Sequence, residues 1–214
     1  LVSIVVITYN SSKYVLETLE SANIQTYQNL ELIVSDDAST DNTVEICREW
    51  VEKHEDRFVR TKVITVSENT GISANCNRGV RASHGEWVKT IAGDDLIKKE
   101  CITKYIEFVE INKNLPKFLF SDVNKINSNG KLIDYENFNA SIQWIDNFNS
   151  KSAAEQYKLL VHSNKVWAST WMFSKEMYDF ILGFDERYNF FEDRPFMLKA
   201  TKNGYKIFFV DIKG

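Results

Sequence analysis

The first half of the chain alternates between short apolar runs and amphipathic segments, and this alternation limits the folds open to it. The run from Val2 to Ile7 is apolar, continuous and rich in β-branched residues, which is typical of a strand buried on both faces of a parallel sheet. Similar runs predict strands at Glu31–Ser35, Val63–Val66 and Trp87–Ile91, with helices between them. We therefore predict an α/β fold with right-handed crossovers and with the first strand near the centre of its sheet.

Two pairs of adjacent aspartates follow two of these predicted strands. Asp36 and Asp37 come after the second strand, and Asp94 and Asp95 come after the fourth. Open α/β sheets bind ligands at the carboxyl ends of their parallel strands, so both pairs are expected at one edge of the sheet. A pair of hard oxygen donors suits a magnesium or manganese ion that bridges a diphosphate. One pair alone would be explained by a turn or a helix cap, but two pairs predict a nucleoside diphosphate site.

The composition is that of a globular protein and argues against several other classes. The 214 residues, 43% of them hydrophobic and only 2 of them proline, are enough for one domain with a large core. A net charge of -4 with interleaved acidic and basic residues argues against nucleic acid as a partner. No apolar run approaches the roughly 18 residues of a membrane span. Three scattered cysteines argue against a disulfide framework, so we predict a cytoplasmic protein. The chain starts without Met, and we expect it to be trimmed at one or both ends.

The second half has weaker patterns. Asn129-Gly130 is a hairpin turn signal between residues 118–121 and 131–133. Residues 134–165 are polar and aromatic, and only one helix, Ala153–Leu160, is predicted there. The remaining predictions are a strand at Ala168–Phe173, helices at Lys175–Leu182 and Pro195–Asn203, and a strand at Lys206–Val210.

Seven short segments occur in a specific order along the chain. They are Val2–Asn10, Ile33–Asp41, Asn69-Thr70-Gly71, Asn77-Arg78-Gly79, Gly93-Asp94-Asp95, Gly183–Glu186 and Glu192-Asp193. Each is weak alone, but in this order and spacing they resemble the family 2 glycosyltransferases of the GT-A fold over nearly the whole chain. The resemblance implies a Rossmann-like, mainly parallel sheet flanked by helices, in a single domain of residues 1–214. Residues 1–97 would form the nucleotide-sugar-binding half, and residues 98–214 would carry the acceptor site and the catalytic base.

The resemblance also implies a reaction. An inverting hexosyl- or N-acetylhexosaminyl-transferase of this family moves a sugar from a nucleoside diphosphate donor, usually a UDP-sugar, to an acceptor hydroxyl in a single displacement. A divalent metal, Mn²⁺ or Mg²⁺, neutralises the charge that develops on the leaving diphosphate, and a base on the opposite side removes the acceptor proton. The implied acceptor is a glycan or lipid-linked oligosaccharide in surface polysaccharide synthesis. Peripheral association with the inner face of a membrane would fit such an acceptor.

The family pattern assigns roles to individual acidic residues. Asp193 matches the catalytic base, and Glu192 lies beside it. Asp94 and Asp95 match the ligands of the metal and the ribose, and one sequence leaves open which of them contacts the metal directly. The nucleotide-binding residues implied are Thr8, Tyr9, Asn10, Asp37, Asn77 and Asp94. Within that set, Asp37 would hydrogen-bond the base of the nucleotide and Tyr9 would stack on it.

The acceptor surface is expected in the aromatic-rich stretch from Tyr135 to Trp171, because aromatic faces suit sugar rings. Trp144, Trp167 and Trp171 are its candidate contacts, although a core role explains Trp167 and Trp171 equally well. Asp36 is the member of the first aspartate pair expected to be structural. Asp193 would serve as a helix cap if it were not the base.

The chain departs from the family pattern at two positions near the predicted site. Ala92 replaces the usual aspartate two residues before Asp94, which leaves fewer carboxylates for a metal. Cys76 replaces an arginine that approaches the nucleotide in many relatives. The resemblance therefore implies a uridine nucleotide less strongly than it would with that arginine present. A non-catalytic sugar-nucleotide or glycan-binding protein on the same scaffold is therefore the alternative, although Glu192-Asp193 argues against it. A nucleotidyltransferase is disfavoured, because no Gly-rich phosphate loop follows the first strand.

Overall fold

The computed structural model describes residues 1–113, 115–127, 131–133, 142–162, 165–188 and 191–212. The strands are β1 (Val2–Thr8), β2 (Leu30–Asp36), β3 (Arg60–Thr65), β4 (Trp87–Ala92), β5 (Phe118–Phe120), β6 (Lys125–Ile126), β7 (Leu132–Ile133), β8 (Met172–Ser174) and β9 (Ile207–Phe209). The helices are α1 (Val15–Asn23), α2 (Thr43–His54), α3 (Ile72–Ala82), α4 (Cys101–Ile111), α5 (Ile142–Ser150), α6 (Ala153–His162), α7 (Lys175–Phe180) and α8 (Asp193–Lys202). Short 3₁₀ turns occur at Glu55–Arg57 and Ala168–Thr170.

Seven strands form one mixed sheet in the order β3-β2-β1-β4-β8-β5-β9. Strands β1 to β4 are all parallel, and β1 lies between β2 and β4, as predicted. Strand β8 runs antiparallel to both β4 and β5, and β5 pairs in parallel with β9. The α/β class with a mainly parallel sheet is confirmed. The register pairs Thr8 with Asp36 and Ile7 with Ala92, so the carboxyl ends of β1, β2 and β4 meet at one edge.

The core has two layers, one on each face of the sheet. Val5 and Ile33 belong to one layer, which α3, α6 and α8 cover, whereas Ile4 and Leu32 belong to the other, which α1, α2 and α4 cover. Successive side chains of a strand point to opposite faces, so a strand between two helical layers is buried on both sides and is mostly apolar. This arrangement explains the continuous apolar run of β1. Among the described residues, no helix is long and apolar enough to cross a lipid bilayer.

The predicted hairpin between residues 118–121 and 131–133 is wrong. Strand β5 pairs with β8 and β9 inside the main sheet, and β7 pairs with β6. The physical reason is burial, because all three residues of β5 are buried whereas both residues of β6 and of β7 are exposed. The turn signal Asn129-Gly130 lies outside the described residues.

Other elements also differ from the prediction. The predicted strand Ala168–Phe173 begins as a 3₁₀ turn, since the backbone N–H and the hydroxyl of Thr170 both donate to the carbonyl of Trp167. Helix α5 was not predicted. Helix α8 begins at Asp193, two residues before Pro195. Proline is tolerated there because the first turn of a helix has no partner for its N–H groups.

Candidate functional site

The loops after β1, β2 and β4 are joined by hydrogen bonds at the carboxyl edge of the sheet. The amide side chain of Asn10 accepts from the N–H of Thr40 at 2.8 Å, and the N–H of Gly93 donates to the carbonyl of Ile7 at 2.8 Å. A Cβ atom at Gly93 would lie 2.8 Å from Cγ2 of Thr8, which is too close for any larger residue. The loop that carries Asp94 and Asp95 is therefore held directly against the end of β1.

Asp36 is the structural member of the first aspartate pair. Its buried carboxylate accepts hydrogen bonds from the hydroxyls of Thr8 (2.8 Å) and Thr65 (3.3 Å) and from the N–H of Ser39 (2.9 Å). Thr8, predicted to bind the nucleotide, is itself buried and uses its hydroxyl for this contact. The structure thus gives Thr8 an internal role and leaves its hydroxyl no hydrogen to donate to a ligand.

Asp37 is buried, and its carboxylate already has four protein donors. One oxygen accepts from the N–H groups of Thr70 (2.9 Å) and Gly71 (2.8 Å), and the other from the hydroxyl of Thr70 (2.6 Å) and from Nη2 of Arg78 (3.2 Å). Gly71 has a φ of 87°, a conformation that glycine adopts readily. The side chain of Asp37 therefore fixes the loop before α3 and pairs with Arg78. A nucleotide that contacts this carboxylate would have to share or displace these donors.

Asn77, which the family pattern implies as a nucleotide contact, is engaged by the protein's own loops. Its buried amide nitrogen donates to the carbonyl of Phe184 (2.9 Å) and to Glu186 (2.7 Å). Its amide oxygen accepts from the hydroxyl of Tyr178 (2.7 Å) and from the N–H of Phe184 (2.9 Å). These contacts use the hydrogen-bonding capacity of the amide, so Asn77 clamps the loop at Gly183–Glu186, and a nucleotide that contacted it would have to displace one of these partners.

Tyr9 and Asn10 remain at the surface of this edge. Tyr9 is 51% exposed, as a ring that stacks on a ligand must be. Asn10 has a φ of 51°, a region that asparagine adopts more readily than most residues. Its N–H donates to the hydroxyl of Ser39 at 2.8 Å, so it also ties the two loops together.

Asp94 and Asp95 form an acidic pair just after the end of β4. Within the described ranges, neither carboxylate accepts a hydrogen bond or forms an ion pair. Burial, and then the charge of Asp94, raise the pKa of Asp95, while Lys89 opposes the shift. No group of three or more His, Cys, Asp or Glu among the described residues is arranged to hold a metal. The pair fits a divalent cation that takes its other oxygen ligands from a diphosphate and water.

A cavity of about 130 Å³ lies between this pair and the second half of the chain. It is called the smaller cavity from here on. Asp95 and Glu192 both line it, together with Cys76 and Ala92. Burial is the main cause that raises the pKa of Glu192, and the neighbouring Asp193 adds to it. Asp193 is the first residue of α8, and its carboxylate accepts from the N–H of Arg194 at 2.5 Å. Glu192 thus lines the cavity directly, whereas Asp193 lies next to it.

The predicted tryptophan contacts divide into core and cavity. Trp171 is 1% exposed, stacks on Phe196 at 5.6 Å and packs edge-on against Phe118 at 5.1 Å. Its ring is part of the core, so it is not an exposed platform for a sugar. Trp144 stacks on Phe148 at 4.8 Å. Trp167 lines a second and larger cavity of about 560 Å³, which also contains Asp94 and Asp95.

Lys89 and Arg78 were given no role by the sequence reasoning. Lys89 is buried in β4, and its ammonium group donates to the carbonyls of Thr90 (2.8 Å) and Ser169 (2.6 Å). The sequence signal that could have revealed Lys89 is a lysine in the middle of a strand predicted to be buried. Arg78 lies inside the segment Asn77-Arg78-Gly79, but its ion pair with Asp37 depends on the fold and not on the motif.

Comparisons with known proteins agree with this architecture. Glycosyltransferase GlyG of Streptococcus pneumoniae serotype 4 is 34% identical over 110 residues, which cover 51% of this chain and 35% of GlyG. The putative teichuronic acid biosynthesis glycosyltransferase TuaG of Bacillus subtilis is 32% identical over 109 residues, 51% of this chain and 42% of TuaG. The chain thus spans well under half the length of either relative.

Solved structures share the fold across the whole chain. TarS 1-349 of S. aureus in complex with UDP-GlcNAc superposes with a TM-score of 0.74 at 24% identity, over 100% of this chain and 58% of that one. Mannosyltransferase PcManGT of Pyrobaculum calidifontis, in complex with GDP-Man and Mn²⁺, gives a TM-score of 0.70 at 20% identity, over 98% of this chain and 56% of that one. The fold is therefore the GT-A fold. The family model described as glycosyl transferase family 2 matches residues 3–181, and the chain belongs to that family.

Proposed function

We propose that the chain is the GT-A domain of an inverting glycosyltransferase that uses a nucleoside diphosphate sugar. The observation that carries the proposal is the smaller cavity, where Asp95 from the end of β4 meets Glu192 from the start of α8. An acidic pair on one side and a further carboxylate pair on the other are what metal-assisted departure of a diphosphate and deprotonation of an acceptor require. Residues 1–97 would bind the donor, and residues 98–214 would supply the acceptor site and the base.

A UDP-sugar is the donor that we propose. Tyr9 is exposed beside the loop of Asp37 and would stack on the base of the nucleotide. Support for the sugar nucleotide comes from TarS, whose structure was determined with UDP-GlcNAc. The mannosyltransferase was determined with GDP-Man and Mn²⁺, which supports Mn²⁺ or Mg²⁺ at Asp94 and Asp95. When bound there, the ion would neutralise charge on the leaving diphosphate.

The remaining steps are carried out by the protein's own residues. Asp193 is the proposed base that takes the proton of the acceptor hydroxyl, and Glu192 beside it lines the cavity. Asn77 holds the loop at Gly183–Glu186, and so supports the segment that leads to both carboxylates. The proposed acceptor is a glycan or lipid-linked oligosaccharide of a surface polysaccharide, since TuaG is named for teichuronic acid biosynthesis. The proposed location is the cytoplasm, at the inner face of the membrane.

The donor site is tested by thermal melts with UDP and Mn²⁺. We expect the two to bind together and only weakly apart, and a ligand at about 100 times its dissociation constant adds about 2.7 kcal/mol of stability. Asp95→Ala should lose most of the metal-dependent shift, because it removes one of two carboxylates. Asp56→Ala, which changes an exposed aspartate on the 3₁₀ turn far along the chain from the site, should keep the shift.

Two outcomes would contradict this donor site. An equal shift with a chelator and with Mn²⁺ would remove the metal role, and so would a full shift in both Asp94→Ala and Asp95→Ala. A hydrolysis screen of several sugar nucleotides with Mn²⁺ then separates an enzyme from a binding protein. Slow release of sugar from one donor names that donor. Binding of UDP with no hydrolysis of any donor and no transfer would favour the non-catalytic alternative.

A further inference from the structure

The larger cavity adjoins the reaction centre and extends away from the predicted nucleotide site, of which only Asp94 lines it. Its volume is about 560 Å³, enough for a ligand of moderate size, and it is lined by Asp94 and Asp95 at one end. Asp95 and Ser169 line both cavities, so the larger cavity and the smaller cavity share a wall. A molecule held in the larger cavity would therefore lie next to the place where Asp95 and Glu192 meet.

The walls of the larger cavity contain apolar side chains that are exposed to solvent when the cavity is empty. Ile24, Leu96, Ile126 and Leu132 all line it, and they are 52%, 47%, 39% and 63% exposed. They come from four separate segments of the chain, the end of α1, the loop after β4, and strands β6 and β7. Apolar side chains that converge on one concave surface indicate a ligand with an apolar part.

Lysines surround the same cavity. Lys98, Lys99 and Lys125 are exposed and line it, and Lys89 lines it from the buried strand β4. Two carbonyls accept hydrogen bonds from the Lys89 ammonium group, which has three hydrogens to donate. Burial lowers the pKa of Lys89 to about 8, so the side chain is still mostly protonated at neutral pH. The acidic side chains in the lining are Asp94 and Asp95, assigned above to the metal, and Asp122.

We propose that the larger cavity binds the acceptor, and that this acceptor is an amphiphile with an apolar chain beside a phosphate group. The apolar walls would hold the chain, and Lys98, Lys99 and Lys89 would face the phosphate oxygens, with which ammonium groups form charge-assisted hydrogen bonds. This inference rests on the proposed transfer reaction, because it places the acceptor next to the donor. It narrows the acceptor class to a lipid-linked one.

Octyl phosphate is a suitable probe, with inorganic phosphate and octanol as its two separated parts. Titration calorimetry of the whole chain should show saturable binding of octyl phosphate. Inorganic phosphate and octanol should each bind at least about tenfold more weakly. This is the factor expected for losing one charge-assisted hydrogen bond or one buried apolar group. Ile126→Asp should weaken binding of octyl phosphate by a similar factor. The double variant Lys98→Ser/Lys99→Ser should reduce the preference for octyl phosphate over octanol.

Matched variants outside the cavity serve as controls. Leu115→Asp changes an exposed apolar residue, and Lys53→Ser/Lys62→Ser changes two exposed lysines, all of them outside the cavity lining. Both variants should bind octyl phosphate as the unchanged protein does. Lys89→Met is a second test of the phosphate contact, with a thermal melt to show that the variant is folded. A folded Lys89→Met protein with an unchanged preference for octyl phosphate over octanol would remove Lys89 from the site.

Three results would overturn the proposal. One is no saturable binding of octyl phosphate, and another is equal binding by the cavity variants and by the controls. The third is binding to vesicles of anionic phospholipid, lost in the cavity variants, with no binding of octyl phosphate, which would make the surface a membrane contact. The melt shift with UDP and Mn²⁺ is measured on the same protein. If that shift is present while octyl phosphate fails, the acceptor inference is wrong and the donor site stands.

Discussion

Replacing Asp193 with asparagine is expected to lower sugar transfer by roughly 10² to 10⁴-fold, the usual contribution of a positioned general base. The variant keeps the size of the side chain and most of its capacity to accept hydrogen bonds at the start of α8, but it removes the basicity. Stability and the melt shift with UDP and Mn²⁺ should therefore change little. The measurement is the transfer rate beside that melt shift.

Glu192→Gln is the matched comparison, because Glu192 and not Asp193 lines the smaller cavity. Near-normal transfer by Asp193→Asn with a large loss in Glu192→Gln would make Glu192 the base. The dependence of the transfer rate on pH is an independent way to identify the base. A base works only when it is deprotonated, so activity falls as the pH drops through its pKa. Since burial raises the pKa of Glu192, that fall would begin at a higher pH than for an ordinary carboxylate.

Asn77→Leu is expected to lower the free energy of unfolding by about 3 kcal/mol or more. Leucine has the same number and branching of side-chain heavy atoms as asparagine, but it leaves the hydroxyl of Tyr178 and the N–H and carbonyl of Phe184 without their partner. Each buried polar group left unpaired costs about 1 to 3 kcal/mol. Chemical denaturation measures the loss. Asn203→Ala, an exposed asparagine that donates to the carbonyl of Lys199, should cost less than about 1 kcal/mol.

The same variant decides between the two roles of Asn77. A clamp predicts lower stability, with UDP and Mn²⁺ still bound at a temperature where the variant is folded. If Asn77 instead binds the nucleotide, the variant should have near-normal stability and should lose the UDP-dependent melt shift. The second result would restore the assignment made from the family pattern and remove the structural explanation.

The sequence predicted the donor half of the fold well because that half is buried and regular. Strand β1 was predicted within one residue, since a strand between two helical layers is buried on both sides and is therefore mostly apolar. Strand β3 was placed three residues late at its start. It lies at the edge of the sheet, is only partly buried, and begins with the polar residues Arg60, Thr61 and Lys62, so its pattern is weak.

The failures came from properties that no local pattern contains. A turn signal at Asn129-Gly130 describes a bend, but the partner of β5 was decided by the need to bury Phe118, Leu119 and Phe120 on both sides. Family motifs place residues near a site without showing what each side chain touches. Asp37 and Asn77 are both in motifs, and the side chains of both form hydrogen bonds with other residues of the protein. Lys89 is outside every motif and lines the larger cavity.

The smaller cavity also brings together the two positions at which this chain departs from the family pattern. Cys76 and Ala92 are both in its wall, where many relatives carry an arginine and an aspartate. One departure removes a positive charge and the other a negative charge, so together they leave the net charge of the cavity wall unchanged. An arginine at position 76 would therefore lie beside the carboxylates of Asp95 and Glu192, whereas an aspartate at position 92 would add a further negative charge to them.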